Sequence, residues 1–417
     1  MKRRLLWVGD AGCPSGFGRA THEILDRVRH EYAVTVLGMN YRGDPHPYPY
    51  PIYAAAPGGD SLGVGRLIWM MDLVKPDVLV IQNDGWFIPY YIKQLRAKEP
   101  SGEYRWPEHA AVPIVASLAV DGKNFRGEWI KDVTLAVFWT EFALNEARIG
   151  GYAGKSAIIP LGVDLDTFYP VERQGAMERQ KLTGLKGKFI VGNVNRNQPR
   201  KRPDLSVKYF AEWIHSHKVD NAWLFFHTAP TEDNGCNILQ LAQHYDVVNR
   251  LALAQPEMFY GVTDADLRDR YNCFDAQITT TQGEGFGLTT FEGMACGVPQ
   301  IVPDAAALGE LISGAGMLVP CTSTALQNPT LTVMGAVPDE KAFIQALDTI
   351  YRDPHRRQIV KELGRTRVEQ ARFRWQHIGN AWVQLLNDLL TKPEPPSDEV
   401  WQELKPAEVK KPQEVSQ

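Results

Sequence analysis

The chain has 417 residues, 44% apolar and 23% charged, with a formal net charge of −4. These values exclude a disordered chain, a collagen-like chain and a disulfide-stapled miniprotein, and they leave room for two or three domains. They also argue against binding nucleic acid through global positive charge, leaving a local basic face open.

At the N-terminus, Met1–Arg4 is followed by an apolar run, Leu5–Val8, that stops at Gly9-Asp10. The run is too short for a signal peptide, and no stretch of about 18 apolar residues occurs anywhere to span a bilayer. The five cysteines (Cys13, Cys236, Cys273, Cys296, Cys321) are scattered, without a CxxC pair or metal spacing, which fits free thiols and a cytoplasmic location.

Leu5–Val8 reads as a strand, Gly9–Gly18 as a turn-rich loop and Ala20–Val28 as an amphipathic helix, the opening of a βα unit. The pattern continues with a strand at Val34–Leu37, a helix at Leu62–Leu73, a strand at Val78–Gln82 and a helix at Pro89–Lys98. Further strands follow at Val112–Ala119 and Thr134–Phe138. Near-continuous apolar strands alternating with helices predict a parallel sheet covered on both faces.

The pattern restarts with a strand at Phe189–Val194, a polar loop Asn195–Pro203 and a helix Leu205–His215. A strand at Trp223–His227, a helix at Asn237–Tyr245, a short strand at Met258–Tyr260 and a helix at Ala265–Asn272 come next. The strand Ala276–Thr279 then leads through a glycine-rich loop into a helix ending near Met294, with strands at Pro299–Val302 and Gly316–Val319. The fold class expected is therefore α/β, with two doubly wound halves and ligands at the carboxyl ends of the strands. Lys392–Pro396 holds three prolines, and the charged segment 391–417 reads as a flexible tail, with Val400, Trp401 and Leu404 able to form one docking helical turn.

The most informative segment runs from Thr281 to Pro299. Gly283, Gly285 and Gly287 let backbone approach a ligand, and a helix beginning near Leu288 aims free N–H groups at that loop, a site for phosphate. Glu284 and Glu292 can accept hydrogen bonds from sugar hydroxyls, so the combination points to a sugar nucleotide. A second segment, Asn195–Pro203, follows a strand and carries Arg196, Arg200, Lys201 and Arg202, cations able to stabilise a departing diphosphate. A surface glycine connector and a basic surface loop are the plainer readings of these two segments.

Glu284-Gly-Phe-Gly-Leu and Glu292-Gly-Met-Ala-Cys-Gly-Val-Pro resemble the paired-glutamate signature of retaining glycosyltransferases of family 4, which have the GT-B fold. The resemblance implies that Glu284 holds the donor sugar, Glu292 the ribose, and Arg196 with Lys201 the pyrophosphate. The backbone amides of Gly285, Phe286, Gly287, Leu288 and Thr289 would contact sugar and diphosphate. Gly162-Val163-Asp164, Phe168, Glu310 and Phe373-Arg-Trp375 also match. The implied domains are 1–168 on the acceptor side and 169–375 on the donor side, with a helix 376–390 crossing back to the first.

In the first domain, Gly16 and Gly18 are expected as ligand contacts and Arg19 as an anion contact, a tight turn being the alternative. Many relatives have a histidine where this chain has Leu118-Ala-Val-Asp121; Asp121 either takes a polar role at the cleft or is a turn aspartate. His22 reads as an ordinary half-buried histidine. Tyr41, Tyr48, Tyr50, Tyr53, Trp86, Phe87, Tyr90 and Tyr91 are either core or a stacking surface for an acceptor.

The resemblance implies front-face transfer from a UDP-sugar to an acceptor hydroxyl, and metal-independent transfer is expected because the cations and the helix terminus, not an Asp-x-Asp metal motif, serve the diphosphate. Saccharides, lipid-linked intermediates and a nucleic-acid acceptor such as a hydroxymethylated DNA base are all open as acceptors. Competing readings are an epimerase or phosphorylase of the same fold and a non-catalytic nucleotide-sugar-binding protein.

Overall fold

A run such as Val78–Gln82, buried at every position, cannot turn one face to water, so the strands it exemplifies need helices on both sides. The structure, a computed structural model, describes residues 2–13, 15–57, 59–229, 234–254 and 261–391.

The first half contains β1 (Arg3–Asp10), α1 (Gly16–Val28), β2 (Tyr32–Met39), β3 (Ile52–Ala54), α2 (Val64–Val74) and β4 (Val78–Gln82). It continues with α3 (Ile88–Leu95), α4 (Pro107–Ala110), β5 (Ile114–Leu118), β6 (Leu135–Phe138), α5 (Glu141–Ile149) and β7 (Ser156–Ile158). Its strands form one parallel sheet in the order β3-β2-β1-β4-β5-β6-β7.

The second half contains α6 (Arg173–Arg179), β8 (Phe189–Val194), α7 (Pro203–Ser216), β9 (Ala222–His227), α8 (Ile238–His244) and β10 (Leu251–Ala254). Then come α9 (Asp264–Asn272), β11 (Ala276–Ile278), α10 (Leu288–Ala295), β12 (Gln300–Pro303), α11 (Ala306–Leu311) and β13 (Met317–Val319). These strands make a second parallel sheet, β10-β9-β8-β11-β12-β13. An antiparallel hairpin, β14 (Cys321–Asn328) and β15 (Val333–Pro338), precedes α12 (Glu340–Arg352), α13 (Pro354–Val368) and α14 (Trp375–Leu390).

Two features differ from expectation. Helix α1 starts at Gly16, not Ala20, because the Ser15 hydroxyl accepts from the Gly18 N–H (3.0 Å) and caps it there. The short strands β3, β7 and β10, and the hairpin, are additional. The strand expected at 258–260 and the tail 392–417 lie outside the described residues.

Strand order reverses between β1 and β4 and between β8 and β11, so the loops after these four strands flank two crevices. The halves are joined by several contacts. Ile159, Leu161, Val163, Leu165 and Phe168 of the connecting segment are buried, and the Val163 N–H donates to the Phe373 carbonyl (3.0 Å). Helix α14 packs on the first half: Trp382 meets Trp7 edge to face (5.4 Å), and the Tyr32 hydroxyl donates to Asn387 Oδ1 (2.8 Å). The Glu310 carboxylate accepts from the N–H groups of Glu141 (3.2 Å) and Phe142 (2.8 Å) at the start of α5. The hairpin reaches the first half too. Met334 and Lys123 exchange two backbone hydrogen bonds (2.8 and 3.1 Å), and Val333 is buried in the same apolar cluster as Phe125 and Tyr152.

Candidate functional site

Beyond β11, the loop Gly283–Gly287 ends in a left-handed Gly287 (φ +97°), which stands at the N-terminus of α10 without a side-chain cap. Among the described residues nothing accepts from the N–H groups of Leu288 and Thr289, which with the helix dipole form an anion cradle. Phe286 turns its ring inward against Phe291 and Phe373, so only its backbone faces outward. Gly283 and Gly285 have a second reason to be glycine. A Cβ on Gly283 would stand 1.7 Å from the Asp121 carbonyl oxygen, and one on Gly285 2.7 Å from Ala119 Cβ. The two halves touch backbone to backbone here, beside Glu284.

The loop after β8 ends in a tight turn, Pro199–Lys201, followed by a left-handed Arg202 (φ +49°) that sends adjacent cations to different partners. The Lys201 ammonium is bonded to Glu284 Oε1. Arg200 donates to the Gly283 carbonyl (3.0 Å) and lies 3.3 Å from Asp121 Oδ2 and 3.8 Å from Glu284 Oε2. Burial and neighbouring Arg200 push the Lys201 ammonium down to about 8, against the pull of Glu284. Burial alone would raise the Glu284 carboxyl, but Lys201 and Arg200 outweigh it and hold it below the usual range. Arg196 is exposed near the other end of the loop, where its charge acts on the Cys13 thiol.

From the first half, Asp121 follows β5 and Asp84 follows β4. Asp84 is half-buried and its carboxylate makes no hydrogen bond among the described residues. Burial, then the charge of Asp121, pushes it up to about 7, with Arg200 opposing.

Glu292, one turn into α10, is 4% exposed. The Tyr271 hydroxyl donates to its Oε2 (2.7 Å), and Arg19 Nε lies 3.3 Å from its Oε1. Arg19 also grips Asp264 through both terminal nitrogens. The expectation of Arg19 as an anion contact is thus modified: the structure gives it two carboxylate partners from the opposite half. Gly18 lies inside α1, where a Cβ would stand 2.4 Å from the Cys13 carbonyl oxygen, so packing demands glycine there. A Cβ on Gly16 would find Leu288 Cδ1 at an ordinary 3.6 Å. His22 is half-buried, its ring stacked on Tyr48 (3.4 Å) and bonded to the Tyr50 hydroxyl (2.9 Å), and burial pushes it down to about 4. Of the aromatics, Tyr50 and Tyr91 are core, and Tyr90 is exposed.

Sequence reasoning did not find Asp84, Asp264 or Tyr271. For Asp84 the signal was available: an acid directly beyond the carboxyl end of a fully buried parallel strand. Among the described residues, one group with metal-ligand spacing occurs, Asp72, Glu108 and His109 on α2 and α4, which contribute none of the cluster above.

A family model described as Family 4 Glycosyltransferase in conflict systems matches residues 163–381, more than half of the chain. The chain is 26% identical over 228 residues to D-inositol 3-phosphate glycosyltransferase 2 of Catenulispora acidiphila, covering 54% of the chain and 49% of that protein. It is 30% identical over 162 residues to lipopolysaccharide core biosynthesis mannosyltransferase LpcC of Rhizobium leguminosarum bv. viciae, covering 37% and 42%. The chain therefore spans about half the length of the curated relatives it matches. Sucrose-phosphate synthase from Thermosynechococcus elongatus superposes with a TM-score of 0.71 at 19% identity, over 93% of this chain and 99% of that one. Anabaena HepE in complex with UDP and glucose superposes with a TM-score of 0.70 at 16% identity, over 93% and 100%. These likenesses give the fold: two parallel-sheet domains facing across a cleft, the GT-B arrangement.

Proposed function

The chain belongs to the family described as Family 4 Glycosyltransferase in conflict systems, and on that footing we propose that it moves a sugar from a nucleotide diphosphate to an acceptor hydroxyl, with retention and without a metal. The observation that carries this reading is the convergence of Lys201, Arg200 and the open amides of α10 around Glu284, where the two domains meet. UDP is the preferred nucleotide, since HepE of the same fold binds UDP and UDP-glucose.

In this reading Glu284 accepts from the donor sugar's hydroxyls and Glu292 from the ribose. The amides of Gly285, Phe286, Gly287, Leu288 and Thr289 face sugar and diphosphate, with Gly16 and Gly18 lining the opposite wall. As the bond from the anomeric carbon to the phosphate oxygen breaks, negative charge grows on the diphosphate, where Lys201, Arg196 and the helix terminus stabilise it. The acceptor oxygen bonds to the same face of the anomeric carbon, and its proton passes to the departing phosphate oxygen. No side-chain nucleophile is needed. Asp121 and ionised Asp84 accept from the acceptor hydroxyl and orient it. Water exclusion by the closed domains limits donor hydrolysis.

The direct test incubates the protein with UDP-sugars and an acceptor panel, following UDP release and the anomeric configuration of the product by NMR. Retained configuration and a rate unaffected by EDTA are expected. Inversion would overturn the stereochemical claim, and a loss restored by Mg²⁺ would overturn metal independence.

The pH profile is a second expected result. Lys201 carries its charge below about 8 and Asp84 carries its charge above about 7, so kcat/KM should be bell-shaped with its limbs near those values. Asp84→Asn should remove the acid limb and Lys201→Arg should move the basic limb upward. An unchanged acid limb in Asp84→Asn would remove Asp84 from the site.

A further inference from the structure

Two glutamates of the donor domain are withdrawn from solvent, Glu292 buried and Glu284 half-buried, and they are neutralised from different places. Glu284 has its cation, Lys201, within its own domain, whereas Glu292 depends on Arg19 from the other. Tyr271 supplies one hydrogen bond to Glu292 but no charge. Asp264 holds the Arg19 guanidinium from the far side, and the ring of Phe168 lies beneath it (5.4 Å). Arg19 is therefore held in position at Glu292.

We infer that Arg19 is a positioning residue for Glu292, reaching across the cleft to keep that carboxylate ionised and aimed at the nucleotide ribose, so that the ribose subsite is complete only when the domains are closed. The inference rests on the proposed role of Glu292 as the ribose acceptor. A carboxylate offers about four lone-pair directions. Tyr271 occupies one at Oε2, while Arg19, 3.3 Å from Oε1, faces the carboxylate as its ion-pair partner, leaving lone pairs for the adjacent 2′- and 3′-hydroxyls. An ionised carboxylate accepts both; a protonated one becomes a donor on one oxygen and loses the match.

Electrostatics agree in direction. Burial pushes the Glu292 carboxyl above its usual range, and Arg19 is the charge that pulls it back. The other groups facing it are the Tyr271 hydroxyl, the Asp264 carboxylate and the Cys296 thiol, itself pushed upward by burial and by Glu292. None of these can replace a cation. Without Arg19 the Glu292 carboxyl rises further, so its ionised fraction falls at neutral and lower pH and recovers as pH increases.

The test measures binding of UDP, GDP and ADP, each beside its 2′,3′-dideoxy counterpart, by calorimetry at pH values from about 6 to 7.5, below the Lys201 transition near 8. In the wild type the ribonucleotide should bind more tightly than the dideoxy form. Arg19→Gln should weaken the ribonucleotide about tenfold at the lower pH, the equivalent of one charge-assisted hydrogen bond, and leave the dideoxy form unchanged. The defect should shrink as pH rises, and Arg19→Lys should restore most of it. Asp264→Asn, which loosens Arg19 without removing its charge, should give the same pattern weakly, and it serves where Arg19→Gln does not fold. Equal weakening of both forms, or no weakening, overturns the inference while leaving the donor site standing. Tighter binding by Arg19→Gln also overturns it, marking Arg19 as a plug. If the wild type does not distinguish ribose from dideoxyribose, the ribose role of Glu292 fails and the inference fails with it.

Discussion

Lys201→Ala should reduce sugar transfer by about a thousandfold or more, because in the proposed mechanism it removes a cation that stabilises the growing diphosphate charge. It also leaves the half-buried Glu284 with only Arg200, 3.8 Å away, and a poorly compensated carboxylate there gains a proton or swings aside. Glu284→Ala should cost a comparable factor by freeing Lys201 from its partner. Because the two act as a unit, the double variant should be scarcely worse than either single one, a strong departure from additivity. Donor consumption under single-turnover conditions, with melting curves as the control for folding, makes the measurement. Wild-type-like turnover in either single variant is incompatible with the proposed site.

The largest effect on stability is expected at Trp382. Its ring is 1% exposed and packs edge to face on Trp7 of the central strand β1, though the two belong to opposite ends of the chain. Trp382→Ala leaves a cavity the size of an indole and should cost about 3–5 kcal/mol. For a chain of this size that corresponds to a fall in melting temperature of roughly 3–6 °C, read by calorimetry. Trp382→Phe should recover most of the loss by refilling the volume. A melting temperature within about 1 °C of the wild type would mean that α14 is not part of the cooperative core.

Much of this architecture was legible from the chain. Val78–Gln82 and Phe189–Val194 form strands with the expected bounds, because unbroken apolar runs admit no other burial. The Gly283–Gly287 loop and the helix behind it were equally plain, since glycine spacing and a helix start are local signals. The hairpin was not: Cys321–Asn328 is largely polar and partly exposed, and its stability comes from docking, as at Val333. Nor was the partition between Arg200 and Lys201, which depends on a turn whose outcome is visible only once Asp121 arrives from another domain. The pairing of Arg19 with Asp264 bridges 245 positions, a separation no local pattern encodes. For Asp84 the strand-end signal was present in the sequence, and the place of β4 beside β1, at the reversal of strand order, gives it its meaning.

The hairpin β14–β15 constrains how the molecule breathes. Its backbone is stitched to Lys123 on one side and to Gln282 on the other, where the Ala336 N–H donates to the Gln282 carbonyl (2.8 Å). A hinge at 159–168 would therefore not suffice for the lobes to part. Swinging them open must either draw Val333 into water, at about 1.5–3 kcal/mol before the two backbone bonds are counted, or bend the ribbon at its irregular registers near Ser323 and Asn328. On the first route the gaping form would be a minority of at most a few per cent, and a sugar nucleotide that enters through it would associate more slowly by about that fraction.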